Sequence, residues 1–244
     1  MSSDSYHFNW LAADAYLFDI DGTLLNTRDG VHYYAFLHAL KDHFGIDASL
    51  EGVPVHGNTD VGILRAVVRR AGVSDTAFEE KLPLLIQQMS DEVESKQAEI
   101  RADLCPAIPE LLQSLHTKGK LLGIVTGNFE RIAWAKLTAS GLKQYFSFGS
   151  FSDVNERRSD IFENSLQAVR DKLGPKSKAY VVGDTPADIA AAREIGIPII
   201  SVATGIYPRT DLAALSPDLS VECCSDLLAL SRRSLSREPC WPEL

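Results

Sequence analysis

The sequence predicts an α/β fold: a doubly wound, Rossmann-like parallel sheet carrying an inserted all-helical unit. Three observations lead there. Short β-rich runs alternate with amphipathic stretches. The runs are strongly apolar, as strands covered on both faces are. One interval of about a hundred residues breaks the alternation and reads as helical patterns only, far too long for a crossover loop.

Taken in order, "AYLFDI" (15–20) reads as the first strand. The long interval follows, with helical patterns at 31–44 ("VHYYAFLHALKDHF"), 61–72 ("VGILRAVVRRAG") and 77–96 ("AFEEKLPLLIQQMSDEVESK"). A helix near 106–118 returns the chain to the sheet. "KLLGIVT" (120–126), "FSFGSF" (146–151), "AYVVGD" (179–184) and "IPIISVA" (197–203) read as further strands, with helices near 130–140, 160–173 and 186–195. The expected division is a core of 1–28 and 101–232, an inserted helical unit of 29–100, and a tail of 233–244.

The chain has 244 residues, 45% of them apolar, enough for one sizeable core with an insertion. The net charge of −9 argues against nucleic acid and against an anionic membrane surface. A small anionic substrate stays possible, because a bound cation reverses the sign inside one cleft. Cys105, Cys223, Cys224 and Cys240 form no C-x-x-C pair and read as reduced thiols. The opening "MSSDSYHFNW" has no basic segment followed by an apolar one, and no run nears the ~18 apolar residues of a membrane span. The expectation is a cytoplasmic protein.

The chemistry gathers at strand ends. Asp19 and Asp21 close the first strand with only Ile20 between them, so an extended backbone puts both carboxylates on one face. Two acids that close resist joint ionisation. A cation, or a task that needs two differently protonated acids, explains them better than an Asp-Gly turn alone. Such strand ends are where open parallel sheets bind ligands. "VTGN" ends the second strand, and Thr126 with the N–H groups of Gly127 and Asn128 suits an oxyanion. An ordinary strand-to-helix turn with Asn128 as N-cap is the competing reading. In "VVGDTPADI", Thr185, Pro186 and Asp188 make something like a capping box. Asp184 is not needed for that, and reads as a ligand for a hard cation.

"DIDGT", "VTGN" and "GDTPAD", in this order at strand ends, resemble three of the four motifs of the haloacid dehalogenase superfamily. The placement of the insertion resembles the phosphoglycolate phosphatase and β-phosphoglucomutase branch, in which a helical cap covers the active site. The resemblance implies Asp19 as nucleophile, Asp21 as general acid/base, and phosphoryl contacts from Thr126, Gly127 and Asn128. It also implies Mg²⁺ held by Asp19, the Asp21 carbonyl and Asp184, with Asp188 nearby in an outer position. The third motif departs from the pattern. Its lysine is missing from "SDVNERRSDIF", where Arg157 and Arg158 are the only cations; Arg158, nearer the helix start, is the favoured replacement. In the inserted unit, the polar turn of "VHGNTDVGIL" offers Asn58 and Thr59 as substrate contacts or as caps of the helix that follows.

The expected activity is Mg²⁺-dependent hydrolysis of a small phosphate monoester, of phosphoglycolate or sugar-phosphate type, through an aspartyl-phosphate. A phosphosugar mutase and a non-catalytic scaffold on the same fold are the alternatives. The expected partner is a small phosphorylated metabolite, with neither nucleic acid nor membrane, in a monomer or homodimer.

Overall fold

The run at 15–18 becomes the middle of a sheet because every one of its side chains is buried. The computed structural model describes residues 8–235. In chain order, β1 (Ala15–Phe18) is followed by β2 (Leu25–Thr27) and by helices α1 (Val31–Phe44), α2 (Asp60–Arg70) and α3 (Asp75–Ser95). Next come β3 (Ala102–Leu104), α4 (Ile108–Thr117), β4 (Leu121–Val125), α5 (Glu130–Ala139), β5 (Gly149–Ser150) and α6 (Arg158–Leu173). The chain continues through β6 (Ala179–Gly183), α7 (Pro186–Ile195), β7 (Ile199–Val202), α8 (Arg209–Ala214), β8 (Leu219–Val221) and α9 (Cys224–Leu235).

Six strands pair in the order β5-β4-β1-β6-β7-β8, all parallel. Alternation along β1 divides its side chains between the two faces. Tyr16 and Phe18 join a core with Ile108, Leu112 and Ile124, while Ala15 and Leu17 join another with Ile161, Phe162 and Val169. Helix α4 shows how the covering helices are held: Ile108, Leu111, Leu112 and Leu115 follow the helical period and are all buried. Each fully buried aliphatic side chain of this kind contributes about 1.5–3 kcal/mol.

A third core lies among α1, α2 and α3 and includes Phe36, Leu64, Leu85 and Met89. Phe129, Ile132 and Ala135 of the α5 segment pack into it, so the inserted helices rest on the sheet domain through apolar contact. Helices α2 and α3 start where their caps dictate: the Thr59 hydroxyl accepts from Gly62 N–H and the Ser74 hydroxyl from Ala77 N–H.

The interval between the first and second sheet strands is not purely helical. β2 and β3 pair antiparallel, Leu25 opposite Leu104 and Thr27 opposite Ala102, at the two ends of the insertion. Three-residue strands carry too little alternation to show in a sequence. Strand β8 and helices α8 and α9 also lie beyond the elements read from the sequence. The expected tail falls outside the described residues except for 233–235, which end α9.

Candidate active site

Asp19 and Asp21 sit where β1 gives way to a tight turn. Ile20 O accepts from the N–H groups of Thr23, Leu24 and Leu25, and Gly22 N–H donates to Leu25 O. The turn needs glycine on two counts. Gly22 has φ +86°, a conformation L side chains rarely adopt. A Cβ there would also lie 2.2 Å from Asp184 Oδ2. Gly205, just after β7, closes in from another side: its Cβ would lie 1.8 Å from the same oxygen. Thr204 Oγ1 donates to Gly22 O (2.5 Å), tying the two loops together, and Thr23 Oγ1 donates to Asp184 Oδ1 (2.9 Å).

One carboxylate oxygen from each of Asp19, Asp184 and Asp188 lies within 4.8 Å of the other two, and all three residues are buried. Burial pushes the carboxyl groups of Asp19 and Asp184 well above the ordinary carboxylate range, and repulsion from neighbouring carboxylates adds to it. Buried oxygen donors of this kind, gathered at one point, fit a hard divalent cation. Asp188 has little left to offer one. The predicted capping box is present: Asp188 Oδ2 accepts from Thr185 N–H (3.0 Å) and Oγ1 (2.6 Å). Its Oδ1 faces Arg158.

Arg158 starts α6, and its side chain is 8% exposed. Its Nε donates to Asp188 Oδ1 (2.7 Å), and its Nη2 lies 2.6 Å from the same oxygen and 2.9 Å from Asp19 Oδ2. Of the two arginines singled out in the sequence, this is the one brought to Asp19. Arg157 points elsewhere, pairing with Glu194 at a side-chain exposure of 65%.

Asp21 faces a different cation. Lys136 Nζ lies 2.9 and 2.7 Å from its two oxygens and 2.8 Å from Asn128 Oδ1. Asn128 Nδ2 in turn donates to Asp21 Oδ2 (2.8 Å) and to Thr126 Oγ1 (2.7 Å). Burial works to raise the Asp21 pKa, but the Lys136 charge and the bonds from Lys136 and Asn128 outweigh it and hold the group below the usual range. Lys136 is absent from the sequence-based site. It lies in "RIAWAKL", where Ile132, Ala133, Ala135 and Leu137 are all buried, and a lysine inside so apolar a stretch was the available signal.

Asn128 does not cap α5. The N-cap is Phe129, whose side chain makes no cap bond, and the first helical N–H groups are met by distant carboxylates. Phe129 N–H donates to Asp60 Oδ2 (2.9 Å) and Glu130 N–H to Asp153 Oδ2 (2.6 Å). That leaves the Asn128 amide free for Asp21, Thr126 and Lys136.

Asp60 opens α2 in the insertion, so its bond to Phe129 joins the two parts of the molecule. Asp60 N–H also donates to Gly127 O (2.7 Å), and a Cβ on Gly127 would lie 2.4 Å from Asn58 O. Thr59 Oγ1 donates to Glu156 O (2.9 Å), and Arg65 Nε bridges both Glu156 oxygens (2.9 and 2.8 Å). Beneath these contacts is a cavity of ≈ 410 Å³. Asp19, Asp21, Thr126, Gly127, Asn128, Lys136, Arg158 and Asp184 line its floor. Asn58 lines its roof; Thr59 does not reach the wall, its hydroxyl being spent on the cap of α2 and on Glu156.

Residues 16–202 match the family model of the haloacid dehalogenase-like hydrolases. A phosphoglycolate phosphatase from Synechococcus elongatus is 31% identical over 88% of this chain and 95% of its own length. A pyrophosphatase, PpaX, from Anoxybacillus flavithermus is 29% identical over 88% of this chain and 94% of its own. Among solved structures, CbbY from Rhodobacter sphaeroides in complex with phosphate superposes with a TM-score of 0.66 at 17% identity, covering 88% of this chain and 96% of that one. A predicted phosphoglycolate phosphatase from Haemophilus somnus gives 0.66 at 22% identity, covering 90% and 98%. At those identities the two structures speak for the fold alone. The chain belongs to the haloacid dehalogenase-like hydrolase family. Within the family it is a phosphatase. No helix among the described residues is long and apolar enough to cross a membrane.

Proposed function

We propose that this phosphatase hydrolyses a small phosphate monoester with Mg²⁺, through a phosphoryl group carried on Asp19. The single observation behind the reading is the pairing of Asp19 with Arg158 at 2.9 Å inside a cluster of buried carboxylates, beneath a roofed cavity. Asp19 and Asp184 would hold the cation with the Asp21 carbonyl, and Asp188 would orient Arg158 from outside. When bound, the cation neutralises charge on Asp19 and on the phosphoryl oxygens.

The chain's own residues account for the rest. An Asp19 oxygen forms the new bond to phosphorus as the bond to the leaving oxygen breaks. Asp21, held ionised at rest by Lys136 and Asn128, first takes up a proton from solvent or from the substrate phosphate and passes it to that oxygen as the bond breaks. In the second half a water adds to phosphorus, Asp21 takes its proton, and the Asp19–phosphorus bond breaks to release inorganic phosphate. Thr126, Gly127 and Asn128 face the phosphoryl oxygens from the end of β4, and Arg158 does so from the start of α6. Lys136 and Asn128 fix the carboxylate of Asp21. The inserted segment 29–100 acts as a cap that keeps bulk water from the floor and leaves room for a metabolite rather than a folded protein. The partner is therefore a small phosphorylated molecule, consistent with a cytoplasmic enzyme.

Hydrolysis of acetyl phosphate with Mg²⁺, with EDTA, and with EDTA followed by excess Mg²⁺ tests the reading. Turnover that disappears with the chelator and returns with the metal supports it. Full turnover in EDTA contradicts the metal's role, and no turnover under any condition contradicts the phosphatase assignment.

A further inference from the structure

The floor of the cavity is built for one phosphoryl group, and its roof differs sharply from it in charge. Among the described residues, the permanently cationic side chains of the lining are Lys136 and Arg158, both on the floor. Lys136 is already satisfied: an ammonium has three donors, and its Nζ has three acceptors within 2.9 Å, the two Asp21 oxygens and Asn128 Oδ1. Arg158 is engaged by Asp19 and Asp188. Its remaining nitrogen, Nη1, lies 3.5 Å from Gly57 O.

Among the described residues the roof has no fixed positive charge. Phe36, Leu50, Val55 and Ile63 give it an apolar surface, with Tyr33 at its edge. Its one carboxylate, Asp60, is buried and held by Phe129 N–H. His32 lies 3.2 Å from that carboxylate, and His56 is exposed. Histidine carries charge only when protonated, and His32 already faces an anion. A second anionic group on the substrate would thus lose water and meet hydrocarbon and Asp60, with no fixed cation to receive it. Burying an unpaired charge is strongly unfavourable.

We infer, resting on the phosphatase reading above, that the roof selects phosphate monoesters whose leaving group is uncharged and presents a hydrocarbon or aromatic face. It discriminates against substrates that carry a second anion beside the phosphoryl group. The relatives named for phosphoglycolate and pyrophosphate act on doubly anionic compounds of that kind. Among the described residues of this chain, no fixed cation on the roof receives the second charge.

The test compares matched substrates on the intact enzyme with Mg²⁺ at pH 8, where an imidazole is ordinarily neutral. 2-Hydroxyethyl phosphate and phosphoglycolate differ only in a hydroxymethyl group against a carboxylate; benzyl phosphate adds the aromatic face. Acetyl phosphate serves as control for turnover itself. The expected result is a kcat/KM at least about tenfold higher for 2-hydroxyethyl phosphate than for phosphoglycolate, and higher again for benzyl phosphate. Val55→Lys, which places a cation on the half-buried roof, should shift the hydroxyethyl-to-glycolate ratio toward phosphoglycolate by about tenfold or more. A smaller preference for the neutral substrate, a preference for phosphoglycolate, or a ratio unmoved by Val55→Lys overturns the inference. Failure to hydrolyse even acetyl phosphate would instead overturn the phosphatase reading beneath it.

Discussion

Lys136 Nζ lies 2.7 and 2.9 Å from the two carboxylate oxygens of Asp21 and is buried to 3% exposure. The site therefore has two cations with separate duties: Arg158 faces Asp19, and Lys136 faces Asp21. Lys136→Met should remove the anchor shared by Asp21 and Asn128 and let both side chains move. The expected loss in kcat is about 10²-fold, the usual effect of displacing a reacting group by an ångström. Steady-state kinetics with acetyl phosphate check it, and a variant within a few-fold of wild type would make Lys136 a packing residue only.

Arg158→Ala leaves Asp19 and Asp188 without their common partner. A loss of about 10²–10³-fold in kcat is expected, as for removal of one charge-stabilising donor. Arg158→Lys should recover part of it, since one ammonium cannot reach both carboxylates as the planar fork does. Arg157→Ala, on the exposed side chain that pairs with Glu194, should stay within a few-fold of wild type. The reverse order of damage would move the third-motif role to Arg157.

Gly205→Ala tests the cradle around Asp184. The added Cβ would overlap Asp184 Oδ2, so the carboxylate must turn away. The Mg²⁺ concentration for half-maximal activity should rise by about tenfold or more, while the fold tolerates so small a change. An unaltered metal dependence would show that Asp184 binds no cation, or that it does so from another rotamer.

The raised carboxylates give a pH signature. Asp19 is raised to about 7 and Asp184 to about 8, burial being the largest cause in each. A carboxyl group whose pKa is higher folded than unfolded makes the native state bind more protons. Its contribution is fully present below the unfolded value near pH 4 and is lost as pH rises through the folded values. The metal-free protein should lose this contribution between about pH 4 and pH 8. Mg²⁺, which binds the ionised form, should restore it. Thermal melts should show a larger Mg²⁺-induced rise in Tm at pH 8 than at pH 5. Metal-free Asp184→Asn should gain on wild type as pH rises over the same window. An equal Mg²⁺ effect at both pH values would contradict the assigned direction.

How much of this could be read from the chain differs from residue to residue. Asp19, Thr126 and Asp184 were legible because each follows an apolar run that can only be a buried strand, and parallel strands point their ends to one side. The helix at 31–44 was legible from its pattern and that at 186–195 from Thr185, Pro186 and Asp188 at its start, and α1 and α7 occupy those spans. Lys136 was harder. A lysine on a helix ordinarily extends to solvent, and only the tertiary packing of α5, whose Ala133 and Leu137 share a core with Tyr16 and Phe18, brings its Nζ to Asp21. Gly205 was illegible, since nothing local marks it; it matters because Asp184 arrives from another loop. Asp60 was read only as part of a polar turn, while its partners Gly127 and Phe129 lie far along the chain and across the interface.

The central claim, that Asp19 carries the phosphoryl group, is tested most directly by mass spectrometry of an acid-quenched digest. Asp21→Asn, which slows water activation, is mixed with acetyl phosphate and Mg²⁺ and quenched within the first turnover. The peptide containing Asp19 should gain the mass of one phosphoryl group, and the gain should be absent from the double variant that also carries Asp19→Asn. Phosphate release by an enzyme whose Asp19 peptide is never modified, with Asp19→Asn still turning over, would contradict the account.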